Sequence, residues 1–184
     1  MKRATTKLLL VCAVILFAIA NPEAKASENA AEIDAKVAAG FKKLYASEPQ
    51  AADLAKKAVA ILMFPDIIKG GLIIGGEYGE GALIQDGKTD GYYSIAAASF
   101  GLQAGGQRFG YAMFFLTDAA LNYLEESEGF EVGVGPTLVG GDKGWSSSMG
   151  TNNLQGDIAV VFFGQEGLMA GAGLRGSKIT KIDP

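Results

Sequence analysis

Two hydrophobic periods divide the chain. Over residues 29–46 apolar side chains recur at helical spacing: at 100° per residue Ile33, Val37, Phe41, Leu44 and Tyr45 share an arc of about 120°, with Lys36 and Lys43 opposite. Glu32 precedes Lys36 by four residues, the favourable order for a helical ion pair. Asp34 falls inside the apolar arc, in the first turns, where the helix dipole accepts a carboxylate. Ser47 with Gln50 three residues on has the capping-box pattern, and predicts a second helix with Ala51, Leu54, Ala55 and Ala58 on one face. From Val59 the period shortens to that of strands. Val59–Phe64 reads as a short buried strand ended by Pro65. Asp86-Gly87 and Asp90-Gly91 are turn signals between apolar runs and predict a hairpin. Thr117 or Asp118 can cap a short helix reaching about Glu126, with Leu121 and Leu124 inward. Strands resume near Phe130–Val139. Residues 140–156 read as a polar loop, and Asp157–Phe163, Leu168–Leu174 and Lys178–Ile182 as three closing strands.

Glycine changes this picture. Residues 70–110 hold 12 glycines in 41 positions, against about 7% in ordinary proteins. They interrupt β-type runs such as Leu72-Ile73-Ile74, Ala82-Leu83-Ile84, Tyr92–Ile95 and Tyr111–Leu116. Glycine within strand patterns marks bulges, bends and close backbone approach. The expected fold is therefore α+β: N-terminal helices packed on a strongly bent, mostly antiparallel β-sheet, as a two-layer sandwich or a partly closed barrel. Gly75, Gly76, Gly105 and Gly106 are expected at its bends or at positive φ.

An ordered series of segments carries a family resemblance. Lys56-Lys57-Ala58-Val59-Ala60-Ile61-Leu62-Met63-Phe64-Pro65 runs into Gly70-Gly71-Leu72-Ile73-Ile74-Gly75-Gly76. Gly79-Glu80-Gly81-Ala82-Leu83 and Ser99-Phe100-Gly101-Leu102-Gln103-Ala104-Gly105-Gly106-Gln107 follow, then Gly167–Ser177 near the end. In this order and spacing, roughly residues 30–184 resemble the SYLF domain, a lipid-binding family related to a yeast actin-patch protein. Eukaryotic SYLF domains bind phosphoinositides, aided by basic residues and an N-terminal amphipathic helix, and some bind actin. The resemblance implies that helix 29–46 and Lys56-Lys57 are the lipid-facing elements, and it carries over no catalytic residue.

The first 26 residues have the form of a secretory leader. Lys2, Arg3 and Lys7 precede 13 apolar residues, Leu8–Ala20, too few to span a bilayer comfortably, and Ala24-Lys25-Ala26 is a cleavage pattern. Cleavage leaves a single domain, residues 27–184, with 12 Lys and Arg against 19 Asp and Glu, a net charge of −7. This balance opposes nucleic-acid binding. An exported bacterial protein, periplasmic or secreted, is the expected context. Histidine is absent and Cys12 lies in the leader. Ser-His-Asp triads, Cys-His pairs and His- or Cys-ligated zinc are thereby excluded. Asp86-Gly87-Lys88-Thr89-Asp90-Gly91 imitates half a calcium loop, but Lys88 stands at a ligand position and Ala97 where the bidentate glutamate belongs. Carboxylate pairs are the remaining catalytic option. Glu77 and Glu80 would point to opposite faces of a strand, and Glu125, Glu126, Glu128 and Glu131 read as a solvated cluster. No enzyme activity and no cofactor are expected.

Lysines supply the candidate site. Lys36, Lys42, Lys43, Lys56 and Lys57 stand against Glu48 and Asp53, a local charge of +3, with Phe41 as an apolar anchor. Helix 29–46 has two readings: it faces lipid, or it packs on its own sheet. The expected partner is a phospholipid or membrane surface, favouring anionic lipids. The alternative is a structural role, with the curved sheet binding another envelope protein.

Overall fold

The structure is a computed structural model and describes residues 28–126, 130–140, 145–148 and 157–184. The leader, its cleavage site and Glu128 lie outside them. The elements in chain order are α1 (Ala30–Ser47), α2 (Ala51–Ala55), β1 (Ala60–Gln85), β2 (Lys88–Phe115), α3 (Asp118–Glu126), β3 (Phe130–Gly140), β4 (Trp145–Ser148) and β5 (Ile158–Ile182). The strands form one antiparallel sheet in the order β1-β2-β5-β3-β4. The fold is thus α+β with an open sheet, its edges at β1 and β4.

Length and bending set its shape. β1, β2 and β5 have 26, 28 and 25 residues, far beyond the usual five or six. β1 doubles back on itself. A Cβ on Gly81 would lie 2.1 Å from the Met63 carbonyl oxygen, and one on Gly79 would lie 2.8 Å from Ile67 Cγ1. Residues 60–67 therefore form one limb and residues 77–85 a second. Between them is a tight crest, where a Cβ on Gly71 would lie 2.4 Å from Gly75 Cα. The crest also holds Ile73 at φ +69°, a left-handed conformation that costs a β-branched residue about 1–2 kcal/mol. The ladder is interrupted beside it, between Leu72 and Ile74, and in β2 Gly105 takes φ +135°.

Two cores follow from strand alternation. Leu62 and Phe64 of the first limb, with Tyr111, Met113 and Phe115 of β2, cluster with Leu83 of the second limb, Tyr93 and Ile95 of β2 and Ile179 of β5, joined by Ala120, Leu121 and Leu124 of α3. The intervening residues Met63, Ala112 and Phe114 face the other way, against Ile33, Val37 and Leu44 of α1 and Ala51 of α2. A strand buried on both faces needs apolar residues at every position, which explains the unbroken runs 59–64 and 111–116. α1 starts on Asn29, whose Oδ1 accepts from Glu32 N at 3.0 Å. Asp34 is held by Thr89 Oγ1 (2.9 Å) and the Tyr92 hydroxyl (3.1 Å), both donating to it. Its place in the apolar arc therefore serves the sheet contact. The Thr117 hydroxyl accepts from Ala120 N at 3.3 Å and caps α3.

Several local expectations require correction. Pro65 does not end β1. It sits in a bulge, Phe64 to Ile67, on an edge strand, where no ladder donor is needed from it. Ser47 caps no second helix: its hydroxyl donates back to the Lys43 carbonyl at 3.0 Å, and α2 starts at Ala51 without a side-chain cap. Asp86-Gly87 forms the hairpin turn with both φ positive, +50° and +74°. Asp90, by contrast, lies in a bulge of β2 between the pairs Ile84–Thr89 and Leu83–Gly91. The three closing strands are one bent strand, β5, and the expected loop 140–156 contains β4, paired to β3. Of the four expected glycines, Gly105 has positive φ and Gly75 packs against Gly71. Gly76 and Gly106 have room for a side chain, with the nearest atoms 3.9 and 3.8 Å from a Cβ.

Candidate functional site

The predicted lysines divide into paired and solvent-facing groups. Lys36 Nζ contacts Glu28 Oε1 and lies 3.1 Å from Glu32 Oε1. The hydrogen bond to Glu28 is the largest influence holding its pKa above the usual lysine value. Lys43 lies 3.6 Å from Glu166, and Lys56 lies 2.9 Å from Asp53. Lys42 and Lys57 are exposed. Phe41 is half-buried, stacked on Tyr45 at 5.9 Å between centroids, and packs against the core beneath α1. Helix 29–46 therefore packs on the sheet, with Ile33, Val37, Gly40 and Leu44 buried.

Only Lys36 and Lys43 converge. With Gly40, Pro65, Asp66, Arg108 and Glu166 they line a cleft of about 220 Å³. Arg108 Nε lies 3.0 Å from Asp66 Oδ1, so each cation of the cleft already faces a carboxylate. Arg108, Asp66 and Glu166 are too far apart in sequence for any spacing rule to have grouped them. A second cleft, about 370 Å³, is lined by Glu28, Asp66, Glu77, Tyr78 and Glu80 beside Ile68. There the Tyr78 hydroxyl donates to Glu80, and burial with this contact pushes the Tyr78 pKa up to about 12. Glu80 also accepts from Glu28 N at 2.9 Å. Glu77 turns the other way, to Lys69 at 2.8 Å, with side-chain exposures of 6% for Lys69 and 2% for Glu77. This buried ion pair bridges the two sides of the crest. Glu125 and Glu126 are exposed, as expected.

Sequence reasoning assigned no role to the crest surface. Leu72, Ile73, Ile74 and Phe100 are 73, 53, 68 and 64% exposed, with Ile68 and Tyr78 on its flanks at 46% each. Leu72 pairs with Ala104 and Ile74 with Phe100, so these four apolar side chains come from two adjacent strands at one bend. The unbroken Leu-Ile-Ile run was a visible signal, but a short apolar run reads as buried strand until its neighbours are known.

Among the described residues, no group of three or more Asp, Glu, Cys or His could hold a metal ion. No helix among them is long and apolar enough to cross a membrane. No protein-family model and no curated protein matches the chain.

Proposed function

We propose that this chain is an exported, non-enzymatic protein that binds lipid at an envelope membrane surface and favours anionic phospholipids, as its resemblance to SYLF domains implies. One observation carries the proposal. Of nine exposed large apolar side chains among the described residues, six lie between residues 68 and 100 at one end of the sheet. Scattered exposed hydrophobes are ordinary, whereas a cluster marks an interaction surface. The two clefts described above are lined by charged groups, which favours contact with a lipid surface over carriage of a single lipid. Exposed Lys42 and Lys57, which the ion pairs of Lys36, Lys43 and Lys56 leave aside, support the preference for negative headgroups.

Co-sedimentation of the mature protein with vesicles tests this. Phosphatidylcholine vesicles should retain some protein, and vesicles containing one-third phosphatidylglycerol should retain more. Failure to bind either refutes the proposal. Capture of one envelope protein in the absence of lipid would then favour the interaction role.

A further inference from the structure

We infer that the crest formed by Leu72, Ile73, Ile74 and Phe100 is the element that enters the bilayer, and that helix 29–46 is not. The inference rests on the proposed lipid-binding function and assigns it a site.

Four observations converge on the crest. Its apolar side chains are already in solvent, so insertion requires no unpacking, whereas Phe41 would have to leave the core. The band around it carries no charge. Residues 70–76 of β1 and 96–107 of β2 contain no Asp, Glu, Lys or Arg, and neither do residues 167–174 of β5, which pair with β2 there. On β1 the first charges below it, Lys69 and Glu77, are buried against each other, while Arg108 of β2 and Glu166 of β5 face Asp66 and Lys43. Leu72 and Ile74 pair with Ala104 and Phe100 of β2, so the bend presents apolar side chains of two adjacent strands together. Finally, Ile73 holds a left-handed conformation that asparagine or glycine would adopt with less strain. A strained, exposed isoleucine fits a site where the side chain itself is used.

Size selects the occupant. Four partly exposed side chains offer on the order of 400 Å², about half of the ~800 Å² per partner in a stable protein interface. The uncharged stretch of β1 extends three residues to each side of Ile73, a reach of about 10 Å at ~3.3 Å per residue. That matches the ~5–10 Å depth of interfacial elements and falls far short of the ~30 Å hydrocarbon core. The fitting partner is the headgroup–acyl boundary of a lipid bilayer.

The test compares wild type, Ile73→Asn, the triple variant Leu72→Ser/Ile74→Ser/Phe100→Ser, and Tyr123→Ser as a control at an equally exposed apolar site on α3. The probe is phosphatidylcholine–phosphatidylglycerol vesicles at 0.1 and 1 M salt. Each large side chain transferred is worth on the order of tenfold in partitioning. The triple variant should therefore bind at least ~100-fold more weakly at both salts, and Tyr123→Ser should bind like wild type. Ile73→Asn should bind about tenfold more weakly while its urea midpoint stays level or rises, which separates lost contact from lost fold. A Phe100→Trp/Trp145→Phe protein should shift its emission to the blue on vesicles and be quenched by lipids brominated near the headgroup end of the chain. Vesicle binding by wild type with equal binding by the triple variant overturns the crest while leaving lipid binding standing. No binding by wild type at all overturns both. A wild-type dimer that the triple variant converts to monomer, with vesicle binding unchanged, assigns the crest to a second copy and overturns the inference.

Discussion

Lys69 and Glu77 lie eight residues apart in one strand, yet their side chains meet at 2.8 Å across the crest, almost dry. At an effective dielectric constant of ~20 their attraction is about 6 kcal/mol, offset by several kcal/mol of desolvation for each ion. The intact pair is therefore close to neutral in net stability, while either partner alone is costly. Lys69→Met removes the ammonium facing the buried Glu77 carboxylate and should destabilise the protein by about 3–5 kcal/mol. Glu77→Leu strands the ammonium and should cost a similar amount. That is a large part of the ~5–15 kcal/mol available to a domain. The double variant Lys69→Met/Glu77→Leu restores apolar packing and should recover most of the loss. Urea unfolding of wild type, both single variants and the double variant closes the cycle, and a coupling energy of at least ~2 kcal/mol is expected. Single variants that each cost under 1 kcal/mol, or a double variant whose loss is the sum of the singles, would show that the pair does not clamp the crest.

Other consequences are equally specific. Gly81→Ala should destabilise by about 2–3 kcal/mol, because its Cβ would meet the Met63 carbonyl, whereas Gly70→Ala, with nothing within 4 Å, should be neutral or slightly stabilising in the same denaturation assay. The raised Tyr78 pKa, about 12, means that the unfolded chain releases this proton at lower pH than the folded one. Its contribution is fully present below pH 10 and is lost as pH rises through about 12; phenolate absorbance should show one tyrosine ionising late, and a tyrosine at 78 titrating near 10 would contradict the geometry. Replacing Lys36, Lys42, Lys43, Lys56 and Lys57 by glutamine should weaken binding to anionic vesicles by less than the crest variant does. Three of the five already contact carboxylates, so a complete loss of binding at 0.1 M salt would return the site to the lysines.

The sequence showed the elements whose cause is local. The 3.6 period of 29–46, the Asp86-Gly87 turn and the Thr117 cap each act within a few residues, and each recurs in the structure. It also showed that the sheet bends, because only glycine lets strand backbones touch as residues 79–81 touch 63–67. It misplaced what depends on distant partners. The breaks after Phe163 and Leu174, read as ends of separate strands, fall within one strand, because β2 pairs with β5 on both sides of them. The lysines looked like surplus charge because Glu28 and Glu166, which face Lys36 and Lys43, are brought there by the fold. Asp34 seemed tolerated in its arc until Thr89 and Tyr92 arrived from β2.

The crest and the hairpin turn are two exposed reversals of the same chain, built from opposite materials. At the hairpin, Asp86, Gly87, Lys88, Thr89 and Asp90 face solvent, as turn chemistry and hydration favour. At the crest the chain reverses just as sharply but presents Leu72, Ile73 and Ile74, with Phe100 beside them. Reversal alone therefore does not call for apolar residues. Nor does packing, because Gly71 and Gly75 bring the backbone into contact with itself and leave no interior at that point for a side chain to fill. Side chains there point outward, and burial within the isolated domain rewards them little. What a Leu-Ile-Ile crest can gain from is an apolar medium outside the protein, and the uncharged band below it sets how deep that medium can reach.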